Sequence, residues 1–302
     1  MKQRILLLLS GLAIIFSACE DEITPTLEEA DPVLVVDAWI TDIPERQLVR
    51  LTQTQPYFDT VASNVVGASV QIEDSQGNTY EFSEDERDPG AYYWYPTETE
   101  PTFGSVGNSY QLKVAINDQT YTATSSMNPV PPIDSITYEL WDSFAFFPET
   151  YFVQFWSVDL PEVGNAYWVR AYKNGVLLNN PDDISVAYDA GFSRGGSFNG
   201  TIFAQPTRSG INPFRQDEDG ETSPAYELGD SVYVELYSIS DEAFDFLSQV
   251  ALQTDRPGGF AELFSNPIAN VSTNIANANA DGPAAIGFFN VGSVSSLGIE
   301  IE

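Results

Sequence analysis

The chain has 302 residues, with 12 Lys and Arg against 44 Asp and Glu, no histidine and a formal charge of −32. That balance gives no basic footprint for a nucleic-acid backbone and repels an anionic lipid surface. The lack of histidine removes the commonest general base, a common zinc ligand and the Ser-His-Asp triad, so any chemistry would fall to carboxylates, Tyr, Lys or Ser. An apolar content of 43% argues for a globular protein over an acidic disordered tail. The length suggests about two domains.

Residues 1–18 read as an export signal. Lys2 and Arg4 precede the apolar runs Ile5–Leu9 and Leu12–Phe16, then come Ser17, Ala18 and Cys19, the one cysteine of the sequence. The run is shorter than the roughly 20 apolar residues that span a bilayer. Cys19 is therefore expected to be the lipidated start of a mature chain, each buried acyl methylene contributing about 0.8 kcal/mol. The other reading is an ordinary secretory signal with an incidental cysteine. With Cys19 acylated, no thiol remains for a disulfide, a metal site or a nucleophile. Residues 19–32 read as a tether that begins with the acidic triplet Glu20, Asp21 and Glu22 and carries Pro25 and Pro32. Residues 22–32, fully extended, reach roughly 35 Å.

Strand patterns start at Val33. Val33–Ile40, Leu48–Thr52, Ala68–Asp74, Thr79–Phe82, Tyr92–Tyr95, Tyr110–Ile116 and Thr120–Thr124 are short, β-branched or aromatic runs separated by turn residues. Ser75–Asn78 and Asn117-Asp118 read as hairpin turns. Alternation places Tyr92 and Trp94 on one face and Tyr93 and Tyr95 on the other. Seven such strands predict an immunoglobulin-like or transthyretin-like β-sandwich over 33–127. The segment 128–132, Asn-Pro-Val-Pro-Pro, predicts a stiff linker.

Residues 133–302 predict a second β-rich domain. Ile133–Tyr138, Tyr151–Trp156, Ala166–Tyr172 and Ser231–Tyr237 read as strands, with a turn at Asn174-Gly175, and 190–230 as long loops. One helix is expected near 241–255, capped by Ser240, with Asp241 and Glu242 complementing its dipole and Phe244, Leu247, Val250 and Ala251 forming its apolar stripe. A last strand is expected over Ala284–Val291, with no assignment beyond it.

Several of these segments carry a family resemblance. They include Leu34–Ile40, Leu51-Thr52, Pro56–Phe58, Ala68–Val70, Ser238–Phe244, Phe264-Ser265-Asn266-Pro267 with Asn270, Asn274-Ile275, Gly282 and Ile286–Phe289. Together with the lipobox they resemble the Bacteroidota outer-membrane lipoproteins grouped as domain of unknown function 4249. The triplet Glu20-Asp21-Glu22 is similar to the surface-export signal of such lipoproteins; otherwise it is a solvated start to the tether. The resemblance implies an immunoglobulin-like N-terminal domain, a β-rich C-terminal domain, an outer-membrane location facing the cell exterior and a TonB-dependent receptor encoded nearby. It implies no reaction.

The candidate sites each have two readings. Phe264, Ser265, Asn266 and Pro267 form either a recognition loop or an Asx-type structural turn. Asp217–Glu221 sets four acids around Gly220, but without the ladder of a calcium loop. Arg194, Arg208 and Arg215 form either an anion pocket or separate ion pairs. Trp141, Phe144, Phe146 and Phe147 form either core packing or a partner or ligand contact. No cofactor and no metal are expected. The function expected is that of a non-enzymatic accessory of a TonB-dependent nutrient transporter, capturing a ligand or gating it. The alternatives are a passive structural or adhesive lipoprotein and a glycoside hydrolase, which needs two carboxylates roughly 5–9.5 Å apart.

Overall fold

The structure is a computed structural model and describes residues 31–56, 59, 61–143, 148–196, 198–216, 222–254, 256 and 269–302. Residues 1–31 with 56–60 form one unit, and 32–55 with 61–302 the other. Of the first unit only residues 31, 56 and 59 are among the described ones, so every described strand and helix belongs to the second. Cys19, the acidic triplet, Phe144, Phe146, Phe147, Asp217–Glu221 and Phe264–Pro267 lie outside the described residues.

The first part of the chain forms β1 (Leu34–Thr41), β2 (Gln47–Gln53), β3 (Ser63–Asn64), β4 (Ser69–Asp74), β5 (Thr79–Glu84), β6 (Ala91–Trp94), β7 (Ser109–Ile116) and β8 (Gln119–Ser126). The strands alternate as their sequences require. Leu34, Val36, Ala38 and Ile40 of β1, Val70 and Ile72 of β4, and Tyr110, Leu112 and Val114 of β7 all point into one core. Each large apolar side chain buried there contributes roughly 1.5–3 kcal/mol. Tyr92 and Trp94 join that core, while Tyr93 and the exposed Tyr95 pack on each other outside it. Asn117 and Asp118, both at positive φ, make the β7–β8 turn.

The second part forms β9 (Ser135–Trp141), β10 (Thr150–Trp156), β11 (Ala166–Lys173), β12 (Val176–Leu177), β13 (Ser185–Tyr188), α1 (Gln205–Ser209), β14 (Arg215–Gln216), β15 (Thr222–Ser223), β16 (Ser231–Ile239), α2 (Asp241–Thr254), β17 (Ala276–Asn277), β18 (Ala285–Gly292) and β19 (Val294–Glu300). Strands β12, β11, β16 and β19 form a sheet, with β13 also on β11, and β9–β10 is a separate hairpin. Ile136, Val153, Phe155, Tyr167, Val169, Val232, Val234 and Leu236 fill the second core. Helix α2 is the one substantial helix among the described residues. The Ala243 N–H donates to Ser240 Oγ at 3.1 Å, and Ala243, Phe244 and Leu247 are buried. A third apolar cluster joins α2 to the strands through Ala166, Tyr237, Ile239, Phe244, Leu247 and Phe288, so among the described residues the protein is mostly β, with three apolar clusters and one substantial helix.

The C-terminal strands depart from the sequence reading. Strand β18, assigned to the 133–302 domain, lies parallel to β1, from Leu34 beside Ala285 to Thr41 beside Gly292. Strand β17 pairs with β8. The first sheet therefore runs β17-β8-β7-β4-β5-β6-β2-β1-β18, and its ends approach each other, since the Val291 N–H of β18 donates to Ser125 Oγ of β8 at 2.9 Å. Local alternation marks a strand but not its neighbour, so strands from beyond 128–132 complete the first sheet. Beyond Val291, where no strand was assigned, β19 pairs with β16.

Two glycines let β18 lie close against both β1 and β16. Gly287 has φ +95°, and a Cβ there would sit 2.0 Å from the Val36 carbonyl oxygen. At Gly292 a Cβ would sit 2.0 Å from the Ser238 carbonyl oxygen. At this crossing the Ser238 and Ser293 hydroxyls both donate to the Asn128 carbonyl, at 2.6 and 2.7 Å, and the Val294 N–H donates to Asp42 Oδ1 at 2.9 Å. Burial raises the Asp42 pKa against that hydrogen bond.

Candidate interaction surface

The hairpin β9–β10 pairs regularly from Ser135–Trp156 to Trp141–Thr150. At its base Ile136, Val153 and Phe155 enter the second core. Further out β9 leaves that core, so Tyr138, Leu140 and Trp141 are exposed, Leu140 by 51% and Trp141 by 43%. Trp141 stacks on Phe152 with centroids 3.8 Å apart, and its indole N–H donates to Glu139 at 2.8 Å. The other face of the indole is thereby presented outward at a fixed angle. Tyr138 meets Tyr151 edge-on, and its hydroxyl donates to the Glu302 carbonyl and accepts from the Glu302 N–H, both at 3.2 Å. Strand alternation places Thr137, Glu139 and Trp141 on one face and Tyr138 and Leu140 on the other. The Trp156 indole N–H donates to Thr137 Oγ1 at 2.7 Å, tying the two strands together on the first face.

The three arginines do not share a partner. Arg194 bridges Asp241 and Asp245 of α2, at 3.8 and 3.2 Å, and lies over the Tyr188 and Phe244 rings. Arg215 is paired with Asp182 and Asp183. Arg208, from α1, lies 3.9 Å over the Trp156 ring. Its Nε and Nη1 are buried without a hydrogen-bond partner, and loss of solvent lowers its pKa. The ion-pair reading describes Arg194 and Arg215; Arg208 instead makes a cation–π contact. Asn270, the described part of the Phe264–Asn270 motif, is exposed.

A polar cluster that the sequence reading missed lies on β11 and β16. Trp168, Arg170 and Tyr172 alternate on β11 and face Tyr237, Glu235 and Tyr233 of β16 in register. The Tyr172 and Tyr237 hydroxyls both donate to Glu235 Oε2 at 2.9 Å, and Arg170 Nη1 donates to the Tyr237 hydroxyl at 2.8 Å. Burial pushes the Tyr172 pKa up to about 12, helped by Glu235 and opposed by Arg170. The polar-aromatic alternation of both strands was the available signal. The cluster braces the sheet, with Arg170 Nε left buried without a hydrogen-bond partner. Two buried carboxylates are likewise occupied. Asp159 accepts from the Tyr167 hydroxyl at 2.6 Å and the Gly200 N–H at 3.1 Å, and Asp189 accepts from the Gly164 and Asn165 N–H groups.

Among the described residues, no group of three or more acids could hold a metal ion, and no helix is long and apolar enough to cross a membrane. The arrangement is that of a β-rich protein that carries an exposed aromatic hairpin braced by stacking and hydrogen bonds. Residues 20–297 match the family model of a domain of unknown function, DUF4249, and the chain belongs to that family. No curated protein matches it.

Proposed function

We propose that this protein is a lipid-anchored accessory of a TonB-dependent nutrient receptor at the outer face of a Bacteroidota outer membrane, without enzymatic activity of its own. The observation that carries the reading is the β9–β10 hairpin, where Tyr138, Leu140 and Trp141 remain exposed on a strand held rigid by stacking and hydrogen bonds. Exposed, preorganised aromatic side chains are the usual anchors of protein interfaces. The lipobox at Cys19 and the acidic triplet after it support the location, and the tether at 19–32 allows the folded body to dock while acyl chains stay in the bilayer. The receptor itself rests on the family's gene neighbourhood.

The test is a photo-crosslinking residue at position 140 in intact cells, followed by mass spectrometry of the products, with the mature N-terminus analysed in the same sample. Cross-links to an outer-membrane receptor and an acylated Cys19 are expected. A free Cys19 thiol would remove the anchor from the proposal. Absence of membrane-protein cross-links, with unchanged nutrient uptake in a deletion strain, would favour a passive structural lipoprotein.

A further inference from the structure

The two edges of the β9–β10 hairpin are treated differently. The outer edge of β10 is closed. The Asn212 side chain accepts from the Val153 N–H at 2.9 Å and donates to its carbonyl at 2.8 Å, and the Tyr151 N–H donates to the Tyr226 carbonyl at 3.0 Å. The base of β9 lies against β19, and beyond Ile136 the strand is exposed over Thr137–Trp141. Among the described residues, no backbone hydrogen bond joins β9 to any strand other than β10. Edge strands are normally blunted by lysine, proline, a bulge or a cover. The sequence of β9, Ser-Ile-Thr-Tyr-Glu-Leu-Trp, has neither lysine nor proline, and its pairing with β10 runs without a bulge.

The surroundings decide what can cover this edge. No Lys or Arg occurs between Lys113 and Arg170, Glu139 lies on β9 and Asp134, Asp142 and Glu149 border the hairpin, while Arg208 packs over Trp156 of β10. Tyr138 also holds Glu302 beside it. A second copy laid edge to edge would bring like charges together. An acidic partner segment would meet the same repulsion.

We propose that the exposed edge of β9 over Thr137–Trp141 binds an extended basic segment of a partner protein, which adds to the hairpin as a further strand. Main-chain hydrogen bonds supply the pairing. Apolar side chains of the incoming strand lie beside Tyr138 and Leu140 on one face. On the other face its Lys or Arg side chains lie against Glu139 and the open face of Trp141. The proposal rests on the hairpin being a docking element and specifies how it docks.

The probe is a short blocked peptide of alternating valine and lysine, added to the full mature chain in detergent. Peptide anisotropy and amide hydrogen exchange of residues 135–141 are measured. Binding is expected, with β9 amides exchanging at least about tenfold more slowly. A valine–glutamate peptide should bind at least about tenfold more weakly. A valine–lysine peptide N-methylated at its centre should not slow exchange. Glu139→Lys, at an exposed position, should reverse the charge preference.

Equal binding of the N-methylated peptide, or binding without protection of β9, would overturn strand addition. Capture of the hairpin by phosphatidylcholine vesicles, with β9 exchange unaltered, would overturn it in favour of a membrane contact. The two proposals fail separately. A receptor cross-link at position 140 with fast β9 exchange in the complex would keep docking and remove strand addition. Peptide protection with no cross-link in cells would keep the edge chemistry and remove the receptor role.

Discussion

The side-chain amide of Asn274 pairs in both directions with the main chain of Phe289. Its Oδ1 accepts from the Phe289 N–H at 3.0 Å and its Nδ2 donates to the Phe289 carbonyl at 2.7 Å. One side chain thus does the work of a neighbouring strand at the seam where β18 approaches β8. Asn212 repeats the device on Val153. Asn274→Ala leaves a donor and an acceptor unpaired at a partly buried position, and a loss of about 2–4 kcal/mol is expected. Asn274→Asp keeps the acceptor but sets a carboxylate against the Phe289 carbonyl, and should not restore stability. Urea denaturation of both variants measures this.

Gly287→Ala should be far costlier than an ordinary glycine replacement. It meets positive φ and a carbonyl oxygen at 2.0 Å together. Gly77 is the control, with φ +87° and nothing within 4 Å of its added Cβ. Gly77→Ala should cost about 1–2 kcal/mol from the backbone alone, while Gly287→Ala should fail to give soluble folded protein. Comparable melting temperatures for the two would show that β1 and β18 are not in close register.

Asp74 gives a pH dependence of known sign. Burial alone would raise its pKa, but donors from the Asn78 side chain, the Asn78 and Gln76 N–H groups and the Tyr80 hydroxyl together hold it below the usual carboxylate range. A depressed folded value means that its contribution is present above the unfolded value of about 4 and lost as pH falls through the folded value. Asp74→Asn should therefore cost about 1–2 kcal/mol at neutral pH, and the gap to the native chain should close in acid. Chemical denaturation at several pH values tests it; a gap that widened on acidification would refute it.

Ser240→Ala removes the oxygen that accepts from the Ala243 N–H, and should cost about 1 kcal/mol. Ser240→Asp should recover most of it, because the carboxylate both caps and complements the helix dipole. Thermal melts of the pair distinguish a cap from mere side-chain packing.

What was legible in the sequence was local. The alternation Leu34, Val36, Ala38 and Ile40 marks β1 and its buried face, Tyr92 and Trp94 turn inward as their spacing requires, and Ser240 ahead of an apolar stripe marks α2. What was not legible was pairing at a distance. Nothing near Leu34 announces Ala285, because strand partners are chosen by the whole core. Strand β19, with Ser295, Ser296 and Gly298, has too weak an alternation to stand out, and it exists because β16 offers an edge. The exposure of Trp141 was open for a related reason. The hairpin continues past the core it is rooted in, and where a core ends is a tertiary fact.

The parallel pairing of Leu34–Thr41 with Ala285–Gly292 also sets an order of events. The first core cannot be completed by the first half of the chain, because one of its strands is made almost last. The ribosome delivers the N-terminal strands long before their partner, and closing so long a loop is slow. During that interval β1 has a bare edge and the seam beside β8 is unfilled. A chain shortened before Ala285 would lose β18 from the first sheet and β19 from the second, so a small C-terminal truncation should expose both interiors to aggregation and proteolysis.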